Sequence, residues 1–116
     1  MTRRILITGS RDWDNPQAIE LALVEHANVG DTLVSGACRT GADRMGEQAW
    51  ETFGPVETHP ADWNTHGKRA GFIRNTEMVK LGADICLAFI RNGSKGATMT
   101  ADLAEKAGIR VERYIR

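Results

Sequence analysis

The sequence is poor in cysteine and proline and contains no long apolar segment. It has two cysteines and three prolines among its 116 residues. Cys38 and Cys86 form no CxxC pair, and His59 and His66 have no Cys or His companion at ligand spacing, so we expect no metal site. No apolar stretch approaches the roughly 20 residues that span a bilayer, and the N-terminal apolar run is too short for a signal peptide. We therefore expect a cytoplasmic protein that does not enter a membrane.

An excess of charge of either sign is also lacking. Fifteen basic residues balance fifteen acidic ones, and the formal net charge is +0. This balance argues against a generally basic nucleic-acid binder, although it leaves room for a local basic patch. With 116 residues and 41% hydrophobic residues, we expect one domain, residues 1–116, with a core that needs neither disulfides nor metal.

Apolar runs and amphipathic segments alternate along the chain. Strands are expected at residues 3–9, 32–36, 55–60, 83–90 and 109–115. Helices are expected at residues 15–30, 41–54, 67–82 and 97–108. The nearly all-apolar run 83–90 is typical of a central strand, whereas the prolines that bound 55–60 favour a sheet edge. Because parallel strands are joined by right-handed crossovers, this order predicts an α/β fold, an open parallel five-stranded sheet with helices on both faces.

Polar and glycine residues concentrate in the segments that follow the strands. These segments read "TGSRDWDN", "SGACRTGAD", "HPADWNTHGKRAG" and "RNGSKGAT", whereas the turns that follow the helices are short and plain. Ligands of such sheets bind at the carboxyl ends of the strands. Folding alone does not load one edge of a sheet with such residues, so the asymmetry predicts a binding site there.

The first two of these loops combine glycine with side chains that bind phosphate or sugar. Glycine lets the backbone approach a ligand, and the guanidinium of Arg11 is suited to a phosphate. Asp43 is either an acid favoured by the dipole at a helix start or a carboxylate that accepts ribose hydroxyls or assists chemistry. The candidates from these loops are Gly9, Ser10, Arg11, Ser35, Gly36, Gly41 and Asp43.

The predicted helix 67–82 carries an unusual stripe. Gly71, Arg74, Asn75 and Met78 recur at i, i+3, i+4 and i+7 and therefore share one face. The alternative is a solvated charged face. A small residue beside Arg and Asn favours a helix that lies along a ligand.

The loop before the last helix contains more glycine and hydroxyl residues than a plain turn needs. Gly93, Ser94, Gly96 and Thr98 lie there, and a helix N-terminus favours anions. A turn with an N-cap would by itself explain Thr98 or Thr100, but not the whole loop. Neither a Walker lysine motif nor GxGxxG is present, so we interpret the loop as a phosphate or ribose cradle of another kind.

Five motifs in order carry a resemblance to a known family. They are "TGSRDWDN", "LVSGACRTGAD", "PADW", "GKRAGFIRNTEMV" and "ADICLAFIRNGSKGATMT". With them the chain resembles the YspA-like (cpYpsA-related) branch of the SLOG superfamily, Rossmann-like domains related to DprA and to the Lonely Guy phosphoribohydrolases. The resemblance implies a pocket for a nucleotide-derived ligand of the ADP-ribose or NAD type, with no required cofactor. It places at that pocket Gly9, Ser10, Arg11, Ser35, Gly36, Gly41, Asp43, Arg74, Asn75, Gly93, Ser94, Gly96 and Thr98.

One difference from the family pattern decides which function we expect first. The phosphoribohydrolases carry a "PGGxGTxxE" loop whose glutamate supports N-glycosidic cleavage, but here Thr100 and Ala101 stand near its place and Asp102 is an approximate substitute. We therefore expect sensing or sequestration of the ligand first. The alternative is a nucleotide N-glycosidase or phosphoribohydrolase that uses Glu77, Asp43 or Asp102 as its carboxylate.

A third alternative is single-stranded DNA binding, as in DprA. A basic rim would come from Arg11, Arg39, Lys68, Arg69, Arg74 and Lys95. Trp13 and Trp63 either plug the edge of the core or stack on bases. Charge neutrality makes nucleic acid the weakest of the three expectations. A small doubly wound domain also suits pairing through a helix face, so we expect a homo-oligomer, and the habit of the family suits a phage gene.

Overall fold

Strands and helices alternate along the chain as the sequence pattern predicts. The computed structural model describes residues 3–116. The strands are β1 (Arg4–Gly9), β2 (Thr32–Ser35), β3 (Val56–Thr58), β4 (Ile85–Ile90) and β5 (Arg110–Ile115). The helices are α1 (Pro16–His26), α2 (Gly41–Trp50), α3 (Trp63–His66), α4 (Ala70–Leu81) and α5 (Lys95–Lys106), with a 3₁₀ turn at Gly67–Arg69.

All five strands are parallel and lie in the order β3-β2-β1-β4-β5. Alternate residues of β1 face opposite layers: Ile5 and Ile7 pack with α1 and α2, whereas Leu6 packs with α4 and α5. The predicted α/β fold with helices on both faces is therefore confirmed. The chain adds strands on one side of β1 and then crosses to β4 on the other side, so the loops after β1 and β4 diverge and open a crevice.

The strand environments follow the sequence reasoning. Every residue of β4 is buried, which fits a central strand covered on both faces. The strand β3 lies at one edge and pairs only with β2, as its flanking prolines indicate. Asn15 caps α1 by accepting a hydrogen bond from the Ala18 N–H at 3.2 Å, with Pro16 in the first turn.

Several helix boundaries differ from those predicted. The helix α2 ends at Trp50, whose buried indole N–H donates to the Asp31 carbonyl at 2.8 Å, so the chain turns there and does not continue to residue 54. The extra short helix α3 begins where the Asp62 carboxylate accepts from the Thr65 N–H at 3.1 Å, a cap that the sequence interpretation missed. The helix α1 stops at His26.

Trp13 belongs to the core. It is 4% exposed, packs edge-on against Phe89 with ring centroids 5.3 Å apart, and donates its indole N–H to the Asn15 carbonyl at 2.8 Å. The core-plug interpretation is therefore confirmed for Trp13, and the alternative that it stacks on a base is wrong. Burial also raises the pKa of the Cys86 thiol to about 12, which fits a small buried hydrophobe. None of the helices within residues 3–116 has the length and apolarity needed to cross a membrane.

Candidate functional site

A cavity of about 590 Å³ lies where the carboxyl ends of the central strands meet the helices that follow them. The segment after β1, the start of α2, one face of α4 and the first turn of α5 form its walls. This volume is in the usual range for small-molecule sites. Since β1 and β4 border the cavity, it lies at the point where the strand order reverses.

The structure brings together part of the predicted set. The predicted residues that line the cavity are Gly9, Arg11, Asp43, Arg74, Asn75, Ser94 and Gly96. Others lie outside its lining: Ser10, Ser35, Gly36, Gly41, Gly93 and Thr98. The stripe on α4 faces the cavity along its length, because Gly71 and Met78 also line it.

Asp43 is a buried carboxylate with one oxygen open to the cavity. Asp43 lies in the first turn of α2, and the residue is 7% exposed. Oδ2 accepts from the Cys38 N–H at 3.2 Å. Oδ1 has no hydrogen-bond partner among the described residues, where every fully buried polar side-chain atom has one, so Oδ1 is accessible. Burial raises the pKa of Asp43 to about 6, against the opposing effects of the Cys38 N–H and the Arg74 charge.

Arg74 is held rigidly beside Asp43. Its Nε donates to the Asn75 Oδ1 at 2.7 Å, and its Nη1 donates to the Gly36 and His59 carbonyls. Residues 3–116 supply no acceptor for Nη2. Because every fully buried polar side-chain atom among them has a partner, Nη2 is accessible. Burial lowers the pKa of Arg74, but the ordinary value for arginine is so high that the guanidinium stays charged.

Two predicted glycines are required by close packing. A Cβ on Gly36 would lie 2.7 Å from the Arg74 Nη1 and 3.0 Å from the Asp43 Oδ2, so the absent side chain makes room for both charged groups. A Cβ on Gly9 would lie 2.3 Å from the Ala42 Cβ, which lets α2 approach β1. These glycines shape the site without offering it a side chain.

The predicted serines hold loops in place and do not reach the cavity. Ser10 is buried, and its Oγ accepts from the Arg91 N–H at 2.7 Å and lies 3.3 Å from the Arg91 carbonyl. Ser35 is also buried and donates to the Glu47 carboxylate at 2.7 Å. The first serine fixes the loop after β4 to the end of β1, and the second fixes β2 to α2.

The start of α5 forms the wall opposite α4. Asn92 and Gly93 turn the chain with positive φ angles of 53° and 63°, and α5 begins at Lys95, two residues before the predicted start. Thr98 donates its hydroxyl to the Ser94 carbonyl at 2.7 Å, so it stabilises this turn. Gly96 has no atom within 4 Å of a Cβ position, so it leaves the backbone of the first turn open to the cavity.

An aromatic and basic rim surrounds the mouth of the cavity. The Arg11 guanidinium carbon lies 5.6 Å from the Trp63 ring centroid, a cation–π contact. Trp63 is 49% exposed. Lys68 and Phe72 also line the cavity; Lys68 was expected only in a basic rim for DNA, and Phe72 was not predicted as a site residue. Helical spacing could have found them, because they lie three or four residues from Gly71 or Asn75 and extend the stripe on α4.

Residues that directly follow β4 also line the cavity. Arg91 donates to the Asp12 carbonyl at 2.7 Å and pairs with Asp14 at 3.4 Å, and the Asn92 amide donates to the Asp12 carboxylate at 3.1 Å. The sequence analysis did not name Arg91 and Asn92, although their position directly after a central strand could have indicated them as site residues.

The other two carboxylates proposed for catalysis lie elsewhere. Glu77 does not line the cavity and borders another recess, of about 190 Å³, which Arg74 also lines. Asp102 pairs with Arg113 at 3.0 Å on the exposed side of α5 and does not line the cavity. Among the predicted catalytic carboxylates, only Asp43 lies in the cavity. Within residues 3–116, no group of three or more His, Cys, Asp or Glu side chains is placed to hold a metal ion.

Comparison with known proteins assigns the chain to a family. Residues 3–66, more than half of the chain, match the YAcAr family, described as the YspA, cpYpsA-related SLOG family. The protein belongs to this SLOG family. It is also 43% identical over 120 residues to the "Gene 61 protein" of Mycobacterium phage D29, an alignment that covers 97% of this chain and 96% of that protein. No solved structure matches the chain.

The family assignment confirms the resemblance that the motifs indicate. In this SLOG protein the matched range contains the loops after β1 and β2, and hence Gly9, Arg11 and Asp43. SLOG membership connects the protein with the binding or processing of nucleotide-related ligands. The phage protein shows that a homologue exists in a phage, and its printed name states no activity.

Proposed function

We propose that this SLOG-family protein binds a nucleotide-derived small molecule, of the ADP-ribose or NAD type, and thereby senses or sequesters it. The observation that carries the proposal is a single cavity in which the open oxygen of Asp43 lies among basic and aromatic side chains. The basic residues that line it are Arg11, Lys68, Arg74, Arg91 and Lys95.

Each part of the cavity suits one part of such a ligand. Phosphate oxygens would be bound by the basic residues and by the open first turn of α5 at Gly96, since helix N-termini favour anions. The open oxygen of Asp43 would accept hydrogen bonds from ribose hydroxyls. A base or similar ring would lie against Trp63 or Phe72.

The packing of α5 supports binding without cleavage. Thr100 and Ala101, which stand near the place of the phosphoribohydrolase glutamate, are both 0% exposed. The Thr100 hydroxyl donates to the Gly96 carbonyl at 2.9 Å. These positions therefore face the core, and a carboxylate is absent where the related enzymes carry one.

Hydrolysis of the ligand is the second candidate, and Asp43 is the observation that favours it. A carboxyl group with a pKa of about 6 can donate or accept a proton near neutral pH. Cleavage of an N-glycosidic bond also needs a carboxylate near the anomeric carbon. If turnover occurs, Asp43→Asn should abolish it, and Glu77→Gln should leave it unchanged.

Single-stranded DNA binding has less support. The burial of Trp13 removes one of the two stacking platforms on which that reading depended. The remaining exposed tryptophan, Trp63, lines the cavity, whereas single-strand binding generally relies on several aromatic platforms along a groove.

The test is a panel of ADP-ribose, NAD, AMP and cyclic ADP-ribose isomers. Thermal unfolding of the protein would be followed with each compound, and the recovered compound would be identified by mass spectrometry. A compound that raises the melting temperature and is recovered intact supports a sensor or sponge, since binding to the folded state stabilises it. Recovery as free base and ribose phosphate would make the protein an enzyme.

Two matched variants locate the binding. Asp43→Asn should weaken binding roughly tenfold or more, because a hydrogen bond to a charged group contributes about 1.5–3 kcal/mol. Glu105→Gln, an exposed position of α5 that pairs with Arg113, should bind as the unmodified protein does. Equal affinity for all three proteins would contradict a role for this cavity.

A further inference from the structure

A second cavity of about 400 Å³ adjoins the candidate site. The two cavities share Arg11, Cys38, Trp63 and Arg74, so they are neighbours across one boundary. The second cavity extends between the loop after β2 and the segment after β3. The residues that line it alone are Gly36, Ala37, Arg39, Thr40, Pro60 and Ala61.

The boundary between the two cavities carries positive charge and a flat aromatic ring. Arg11 lies over the Trp63 ring, and the Thr40 hydroxyl donates to the Arg11 carbonyl at 3.0 Å, which fixes the backbone there. The accessible Nη2 of Arg74 belongs to the same boundary. Two guanidinium groups therefore lie where a ligand would pass from one cavity into the other, a position that suits a phosphate linker.

The second cavity has its own means of holding a ligand. Pro60 and Ala61 form an apolar side next to Trp63, and Arg39 adds an exposed positive charge. Apolar surface combined with a cationic group is the combination that a phosphorylated nucleoside needs. A mononucleotide in the first cavity would leave these groups unused.

We propose that the ligand has two nucleoside halves joined through phosphate, with one half in each cavity and the linker at Arg11 and Arg74. This inference rests on the proposed function and narrows the ligand to a dinucleotide class. It makes Arg39 a specificity residue for the second half.

The test compares AMP with diadenosine diphosphate by isothermal titration calorimetry, because each half of the second compound has the base, sugar and phosphate of the first. Diadenosine diphosphate should bind at least tenfold more tightly than AMP. Arg39→Ala, which changes the second cavity alone, should remove most of that advantage and leave the affinity for AMP unchanged. Arg44→Ala is the matched control, because Arg44 is exposed on the same segment and lines neither cavity.

Each other outcome has a distinct meaning. If AMP binds and diadenosine diphosphate gains nothing, or if Arg39→Ala weakens both equally, the two-cavity proposal fails and the proposed function stands. If neither compound nor any member of the panel binds, both fail. Affinity for oligoadenylates of two, four and eight nucleotides that keeps rising with length would replace the dinucleotide with a nucleic-acid strand.

Discussion

Asp43 occupies a position that is unfavourable for stability and that the proposed function uses for binding. The residue is 7% exposed, so burial removes hydration that the ionised carboxylate needs more than the protonated form does, and its open oxygen has no partner within the described part of the chain. Arg74 lies close enough to lower the pKa of Asp43, but burial has the larger effect. A buried carboxylate with an open oxygen at a proposed binding position fits the common trade between stability and function.

The pH dependence of stability should reveal this cost. The pKa of Asp43 rises from an ordinary 3.8 to about 6 on folding, so the folded state binds the proton more tightly and loses stability as pH rises between these values. Asp43→Asn should therefore be more stable than the unmodified protein at pH 7, by up to about 3 kcal/mol. Urea unfolding at pH 7 and pH 4 measures this. A variant that is less stable at pH 7, or a difference independent of pH, would contradict the burial argument.

The sequence predicted those cavity residues whose side-chain chemistry and place in a predicted element both pointed to a binding site. Asp43 and Arg74 could be predicted because one follows a strand–loop–helix junction and the other lies on a helical stripe. Ser10 and Ser35 could not be separated from ligand-binding serines, because a hydroxyl in a glycine loop serves equally well to fix a backbone. Only the three-dimensional contacts distinguish the two uses.

At the level of elements, the edge strand β3 is tied to the centre of the sheet by one ion pair. Arg4 of β1 reaches across β2 and donates to both oxygens of Glu57 at 2.6 and 2.9 Å, and the His59 Nε2 lies 2.6 Å from the same carboxylate. The His59 carbonyl in turn accepts from Arg74 at 3.3 Å. The position of Arg74 at the cavity therefore depends in part on this short strand.

Loss of the ion pair should weaken the protein in a pH-dependent way. The hydrogen bonds from Arg4 and then His59 lower the pKa of Glu57 to about 2, so its contribution is present above the ordinary value near 4.5 and is lost as pH falls towards 2. Glu57→Gln should lower the free energy of unfolding at pH 7 by about 1 kcal/mol, since the pair is partly solvated. Urea unfolding at pH 7 and pH 3 checks this. A deficit as large at pH 3 as at pH 7 would show that the charge is unimportant.

The order of elements was more predictable than their ends. The strand β4 was visible as an uninterrupted apolar run, and α1 as an Asn–Pro start. The end of α2 was not visible in the sequence, because it depends on the burial of Trp50 against the carbonyl of Asp31, which is distant in sequence. The short helix α3 depends on a cap at Asp62 too brief to leave a periodic pattern.

For the whole molecule, the sheet order decides where function can lie. Although the net charge is +0, five basic residues and two acidic ones line the cavity at one edge of the sheet. Amino-acid composition could not show where the basic residues lie. The polar and glycine residues in the loops after the strands did predict which edge of the sheet carries the cavity. Formation of a homo-oligomer stays a prediction.

Ligand binding at the cavity is tested most directly by a fluorescence titration with the compound that most raises the melting temperature. The protein has three tryptophans, of which Trp13 and Trp50 are 4% exposed and Trp63 is 49% exposed at the mouth of the cavity. We predict a saturable change in tryptophan emission in the unmodified protein and its loss in Trp63→Phe, which keeps an aromatic wall. Stabilisation by the compound with no change in emission from Trp63 would place the ligand elsewhere and contradict binding at this cavity.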